Sequence, residues 1–484
     1  MIKRRDFLTL GATTAGTILL SKLGVAQNNY SKNQVLTKSY TSQNGLLNVD
    51  LVASNITYKL GGQDANLIAY NGQIPGPTLE AKPGDTVRIR FTNKLSQSSN
   101  LHYHGLHIPN TGNADNAFLE VPPGETFNYE FTLPKNHQAG TFWYHPHIHH
   151  MTADQVFGGL AGLFIVRGEL DEIPEIKAAK EKFLVLQDFA IGNNYLSPMA
   201  KIMGREGNLI TISGQVNPTL SIPEGGLLRL RLLNASASRF YRLSLEEHPF
   251  YLIATDGGGI TQPVELKELL LTPGERAEIL IKGVKKKGKY RLLNLPYNRD
   301  TMGMMGEGMM GGGMNHNMGK QRNNVNTSEV LATLVYQGSI SPLSLPKKII
   351  NLKALPEAQS IRKIELSMGM IPGQGMVLQI DGESFDPQRI NTQVKLNSIE
   401  DWEISTVGSH LMEHNFHLHT YPFQVLSRNG QPEPYLAWKD TVLIKPNEPV
   451  KIRVKFSNFP GKTVYHCHIL DHEDLGMMGV IGII

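Results

Sequence analysis

A chain of 484 residues is too long for one core and implies about two to four domains. Hydrophobic content of 40% and charged content of 19% fit a soluble globular protein, and 47 glycines and 27 prolines among short Val/Ile/Leu runs argue against a helical chain and for a turn-rich all-β one. The net charge of +4 says little by itself, since Lys3, Arg4, Arg5 and Lys22 against Asp6 put most of it at the N-terminus; the lysines at 282, 285, 286, 287 and 289 read as a solvated Gly-containing loop and not as a nucleic-acid-binding surface.

In chain order, the first feature is a leader over residues 1–26. Lys3-Arg4-Arg5-Asp6-Phe7-Leu8 looks like a twin-arginine export motif, a modestly apolar segment follows, and Gly24-Val25-Ala26 forms a small-residue cleavage site. This predicts a bacterial protein exported to the periplasm by the twin-arginine translocase. The leader is too short and polar to span a membrane, and no later segment is a candidate span, so no membrane insertion is expected. Three strand-rich blocks follow, at 46–168, 182–338 and 345–484, the first showing period-two alternation over Thr86–Phe91. A charged segment with Pro174, 168–181, reads as a linker, and the stretch SISPLSLP precedes the third block. An internal echo supports repeated domains: GDTVRIRFTN at 84–93 and GGLLRLRLLN at 225–234 share Gly, both arginines and the final Asn. A third copy around Asp401-Trp402-Glu403-Ile404 is too diverged to count. Three β-sandwiches fill the length.

Residues 302–318 read MGMMGEGMMGGGMNHNM, between strand-like 292–296 and 330–336. So much glycine rules out a packed core and predicts a loop or hairpin. It is either an incidental insertion or a thioether trap for Cu(I), the ion that soft sulfur ligands prefer.

The third block holds the chain's single cysteine in HCHILDHEDLGM at 466–477. Thiolate, imidazole and a weak axial thioether are the ligands of a blue-copper centre. Side chains of an extended chain alternate faces, so His466 and His468 point away from Cys467 toward a second site. A lone thiol in an exported protein can form no internal disulfide, and metal ligation is the better account of it. The other histidine groups are His102-Tyr103-His104, His145-Pro146-His147 and His414-Asn415-Phe416-His417-Leu418-His419. Each His-x-His presents two imidazoles on one face. A single such pair is ordinarily structural, but four groups beside a Cys-His-Met motif are not coincidence.

These four groups resemble the copper-binding motifs of the multicopper oxidases, the family of laccases, ascorbate oxidase and bacterial cuprous oxidases, and the resemblance spans the whole chain after the leader. It implies three cupredoxin-like Greek-key β-sandwich domains, the all-β class, with the type 1 copper in the third. It implies four coppers: type 1 on His414, Cys467 and His472 with Met477 axial; type 2 on His102 and His417; a type 3 pair on His104, His145, His147, His419, His466 and His468. The implied reaction is one-electron oxidation of a small-molecule or metal-ion donor, Cu(I) with phenols and aromatic amines, coupled to four-electron reduction of dioxygen to water, in copper tolerance. A general laccase and a non-catalytic copper-binding periplasmic protein are the alternatives. One chain supplies the whole cluster, so a monomer suffices.

In the family, an acid after the first motif and one beside the type 1 histidine assist proton delivery; Asp115 and Glu473 are the candidates. Met412 and Glu413, before His414, could join the methionines at 302, 304, 305, 309, 310, 314 and 318 (Met302, Met304, Met305, Met309, Met310, Met314, Met318) in a substrate Cu(I) site. Relatives can carry an acid where His410 falls. Tyr103 stands where many relatives carry Trp, and Asn415 where many carry Pro; neither is a ligand position.

Overall fold

The computed structural model describes residues 38–192, 196–299, 327–371, 373, 375–408 and 411–484. The leader 1–26, the methionine-rich stretch 302–318 and His410 lie outside the described residues. Short strands pair into six sheets, two for each strand-rich block. In Thr86–Asn93 the expected alternation holds: Val87, Ile89 and Phe91 turn inward and Arg88 and Arg90 outward. That inner face meets Leu79, Tyr144 and Phe164 of the opposing sheet to form the first core. The second sandwich closes over Leu230, Leu243, Ile279 and Leu334, and the third over Ile364, Trp402, Phe416 and Val464's neighbour Tyr465. The first and second also meet through an apolar seam of Trp143, Leu163 and Ile165 against Val185 and Leu233. Among the described residues no helix is long and apolar enough to cross a membrane.

The internal echo is a structural repeat. Thr86–Asn93 lies between a parallel partner, Leu46–Leu60, and an antiparallel one, Thr126–Thr132. Leu227–Asn234 is flanked in the same way by Lys180–Phe189 and Arg276–Lys282. The closing asparagines make matching corner bonds. Asn93 donates to the carbonyls of Gln97 and Val121 at 2.8 Å and accepts from Leu95 N. Asn234 donates to those of Arg239 and Leu271 and accepts from Ser236 N. Ile399–Val407 sits between a parallel Ser360–Ile371 and an antiparallel Val450–Lys455. The diverged third copy therefore occupies the equivalent place, its sequence having drifted because the pairing uses backbone groups.

The repeat does not extend to the arginines. Arg88 and Arg90 are more than half exposed, whereas Arg229 and Arg231 are buried. The outer face of the second sandwich is covered by the first: Arg231 donates to Thr141 Oγ1 at 3.2 Å and to Glu278 Oε1 at 2.5 Å. The charged segment expected to be a linker completes this network. It folds into the short helices Glu169–Glu172 and Pro174–Ala178, and Asp171 accepts from Arg229 and Arg231 at 2.7 and 2.6 Å. Charge there balances buried arginines, a role that composition alone does not distinguish from solvation.

Candidate metal centres

Strand register brings the histidine motifs together in pairs. In the first sandwich His102 lies opposite His145, and His104 opposite Trp143. In the third, His417 lies opposite His466 and Phe416 opposite Cys467. Period-two alternation then puts His417 and His466 on one face and Cys467 on the other. The two sandwiches meet on the histidine faces: His104 stacks on His417 and His102 on His419, each with ring centroids 3.8 Å apart.

Eight buried imidazoles, His102, His104, His145, His147, His417, His419, His466 and His468, converge at this junction. Candidate ligand atoms within 4.8 Å of one another group as His102–His417–His419, His102–His104–His145 and His147–His419–His466. Burial first, and then neighbouring imidazoles, lower the basicity of His102, His147 and His419, and burial takes His145 and His466 down to about 3. These rings are neutral, as metal ligation requires. Outer hydrogen bonds fix which nitrogen faces inward. Nδ1 of His102 donates to Asp115 Oδ1 at 2.9 Å, that of His145 to Pro146 O at 2.9 Å, that of His417 to Asp440 O at 2.8 Å, and that of His466 to Cys467 O at 3.0 Å. His104 is turned the other way, its Nε2 donating to Asp440 Oδ1 at 2.9 Å while Nδ1 faces His145. Nε2 of His102 and His417 and both nitrogens of His468 are buried with no hydrogen-bond partner, as are His147 Nε2 and His419 Nδ1, while Nε2 of His419 and His466 face each other at 3.0 Å. So many orphaned imidazole nitrogens in one place fit bound metal and little else, since each is costly to bury unmade.

On the other face of the strand, His414, Cys467 and His472 form a second set. Cys467 Sγ lies 3.5 Å from His414 Nδ1 and 3.7 Å from His472 Nδ1, and the two Nδ1 atoms are 3.2 Å apart. Met477 is fully buried, and its carbonyl accepts from Cys467 N at 3.0 Å, which holds it beside the set. Burial pushes the Cys467 thiol up to about 12, so thiolate formation there needs a cation.

Both sequence-predicted acids are buried at the histidine junction. Besides His102, Asp115 accepts from Tyr103 N at 2.9 Å, and burial raises its pKa to about 8. Glu473 lies 3.4 Å from His147 Nε2 and 3.3 Å from His466 Nδ1, and burial raises it too. Met412 and Glu413 are buried beside His414, with the Tyr297 hydroxyl donating to Glu413 at 2.8 Å. His150 donates to Asp474 O and His149 packs on Phe385; neither joins a candidate ligand group among the described residues. A cavity of about 660 Å³ between the first and third sandwiches reaches His147.

Sequence reasoning missed the supports that come from the middle sandwich. Asp440 holds His104 through its side chain and His417 through its backbone, and Arg276 of the middle sandwich grips its carboxylate, Nη1 to Oδ1 at 2.8 Å and Nη2 to Oδ2. Asn415, set aside as a non-ligand position, donates to Pro273 O at 2.7 Å and its Oδ1 lies 3.8 Å from Cys467 Sγ. No local spacing marks either residue.

The multicopper oxidase family pattern matches three stretches, residues 52–171, 185–338 and 355–483, one in each sandwich. The chain is 33% identical over 464 residues to a multicopper oxidase of Staphylococcus haemolyticus, covering 93% of this chain and 92% of that one. It is 30% identical to the cell division protein FtsP of Xenorhabdus nematophila, with 89% and 88% covered. The structure of a Campylobacter jejuni multicopper oxidase, described as a metallo-oxidase, superimposes with a TM-score of 0.79 at 31% identity, covering 93% of each chain. Copper suits a thiolate–imidazole–thioether set, and the histidine junction offers the neutral donors it needs. Three matched domains, close relatives over nearly the whole length and this donor set together place the chain in the multicopper oxidase family, copper-dependent oxidoreductases with dioxygen as acceptor.

Proposed function

We propose that the protein is a periplasmic cuprous oxidase with laccase-type activity, oxidising Cu(I), phenols and aromatic amines in the service of copper tolerance. Four coppers are assigned. His414, Cys467, His472 and Met477 would hold type 1, His102 and His417 would hold type 2, and His104, His145, His147, His419, His466 and His468 would hold the type 3 pair. Copper held there would supply one-electron transfer from donor to dioxygen, four electrons for each dioxygen reduced to water. The protein's part is geometric. Cys467 shares its strand with His466 and His468, so a short covalent path links the two donor sets. Asp115 and Glu473, buried against His102, His147 and His466, are positioned to hand protons to the junction.

The observation that carries the Cu(I) reading is the buried Met412 thioether, a soft ligand, two residues before His414. Met412 and Glu413 are buried there. Arg299 and Thr327, which flank the methionine-rich stretch in sequence, line one cavity of about 330 Å³ with Tyr297, the partner of Glu413. Steady-state kinetics with Cu(I), Fe(II) and a phenol test it, on the whole protein and on one lacking 302–318. Cu(I) oxidation should fall far more than phenol oxidation. Equal loss, or none, would leave a general laccase with an incidental insertion. A second reading is a non-catalytic copper-binding periplasmic protein, and cell division proteins are among the similar chains. Against it stands the complete donor set, since a chain that has lost its metals need keep no orphaned imidazoles. Four bound coppers without oxygen uptake would decide for that second reading.

A further inference from the structure

The middle sandwich supplies none of the assigned copper ligands, yet part of it is built against the Cys467 set. His472 Nε2 donates to Ile202 O at 3.0 Å. Three residues on, Arg205 donates from its backbone to Asp471 Oδ2 at 2.8 Å and from its guanidinium to Asp471 Oδ1 at 2.6 and 2.8 Å, next to His472. Between them Gly204 fits so closely that a Cβ would stand 2.9 Å from Ile469 Cγ2 and 3.1 Å from Arg299 Nη1. Leu470 N donates to Ala237 O at 2.9 Å. Residues 202–205 thus form a cap fastened over the turn that carries His472.

Arg299 secures this cap from the far side. Its Nη2 donates to Met203 O and its Nη1 to Ser238 O, both at 3.1 Å, and the guanidinium lies 5.4 Å from the Phe240 ring centroid. The side chain is only 11% exposed, while the carboxylate it pairs with, Glu206 at 3.2 Å, is 36% exposed and shared with Arg239. A cation is therefore held in low-dielectric surroundings by neutral carbonyls and an aromatic face, with one partly solvated counter-charge.

We propose that Arg299 is a positioning and tuning residue for the type 1 centre: its cation disfavours Cu(II), the more highly charged state, and so raises the reduction potential. The cation lies against the His472 turn: Arg299 Nη2 bonds Met203 O, the carbonyl next after the one that holds His472 Nε2, and its Nη1 and Ile469 both close around Gly204. A unit charge about 10 Å from a centre, at an effective dielectric of about 20, shifts its equilibrium roughly tenfold.

The inference rests on the type 1 assignment, and the two fail differently. Without blue absorption in the unsubstituted holoenzyme, the copper assignment falls. With it, a redox titration of that absorption tests Arg299. Arg299→Gln should lower the potential by about 59 mV, the one-electron equivalent of a tenfold shift. Arg299→Lys keeps the charge and should stay near the parent, which a purely structural role would not allow. Glu206→Gln removes the counter-charge and should raise the potential, and it decides the matter alone where Arg299→Gln fails to fold. An unmoved potential in Arg299→Gln, an equal fall in Arg299→Lys, or a fall in Glu206→Gln overturns the proposal.

Discussion

Gly105→Ala tests whether the histidine junction is held from outside by the Arg276–Asp440 pair. Gly105 has φ +86°, and a Cβ there would stand 3.1 Å from Phe142 Cδ1 and closer still to Arg276 Nη2 and Asp440 Oδ2. Arg276 is fully buried, donating to the carbonyls of Thr141, Gly274 and Asp256 as well as to Asp440, so the pair has nowhere to retreat. Left-handed backbone costs a non-glycine residue about 1–2 kcal/mol. Displacing a buried charge-assisted hydrogen bond adds about 1.5–3 kcal/mol. The sum is about 2.5–5 kcal/mol. Gly430→Ala is the control: φ is +74° with nothing within 4 Å of the built Cβ, so it bears the backbone cost alone. Urea unfolding of both copper-free proteins, followed by tryptophan fluorescence, reads the difference, and copper retained after dialysis reads the displacement of His104. If Gly105→Ala costs no more than Gly430→Ala, the pair is not the constraint inferred here.

Three further outcomes are expected. Cys467→Ser should abolish blue absorption and turnover while the protein keeps copper at the histidine junction; persistence of the blue band would refute the assignment of the thiolate. Asn234→Ala strands two carbonyls and the Ser236 N–H in a buried corner and should cost about 2–4 kcal/mol in thermal or urea unfolding, with Asn93→Ala similar, so a near-neutral effect at either would show that the repeat's corner bonds are dispensable. Glu181 governs part of the acid response. Burial alone would raise its carboxyl, but the Arg167 hydrogen bond and the charges of Arg231 and Arg167 hold it at about 2 against an ordinary 4.5. Its contribution, on the order of 2 kcal/mol, is complete above about pH 4.5 and is lost as pH falls toward 2. Glu181→Gln should therefore destabilise the protein at neutral pH and flatten the decline across that window, an expectation refuted by parallel stability curves.

Some of this was legible in the chain and some was not, and the division follows the range of the interactions. Asp115 illustrates the boundary: its place after the first motif suggested a role, but only the fold shows its carboxylate on His102 Nδ1. Arg88 and Arg229 occupy matching positions in one repeat, and their opposite exposure depends on which neighbouring domain covers the strand. The third copy around Asp401-Trp402-Glu403-Ile404 was too diverged in sequence to count, because backbone pairing constrains side chains weakly.

The sequence by itself pointed to two groups of candidate donors, because alternation along a strand is local and puts Cys467 on one face and His466 and His468 on the other. The number of sandwiches followed equally from length and patterning. Only the tertiary structure decided which imidazole nitrogen faces the junction, that Asp440 and Arg276 hold it, and that residues 202–205 and Arg299 cap the Cys467 set. The contacts of Asp440 with His104, Arg276 with Asp440 and Ile202 with His472 join residues more than 160 positions apart, and their energies come from burial and charge pairing that exist only once the sandwiches have met.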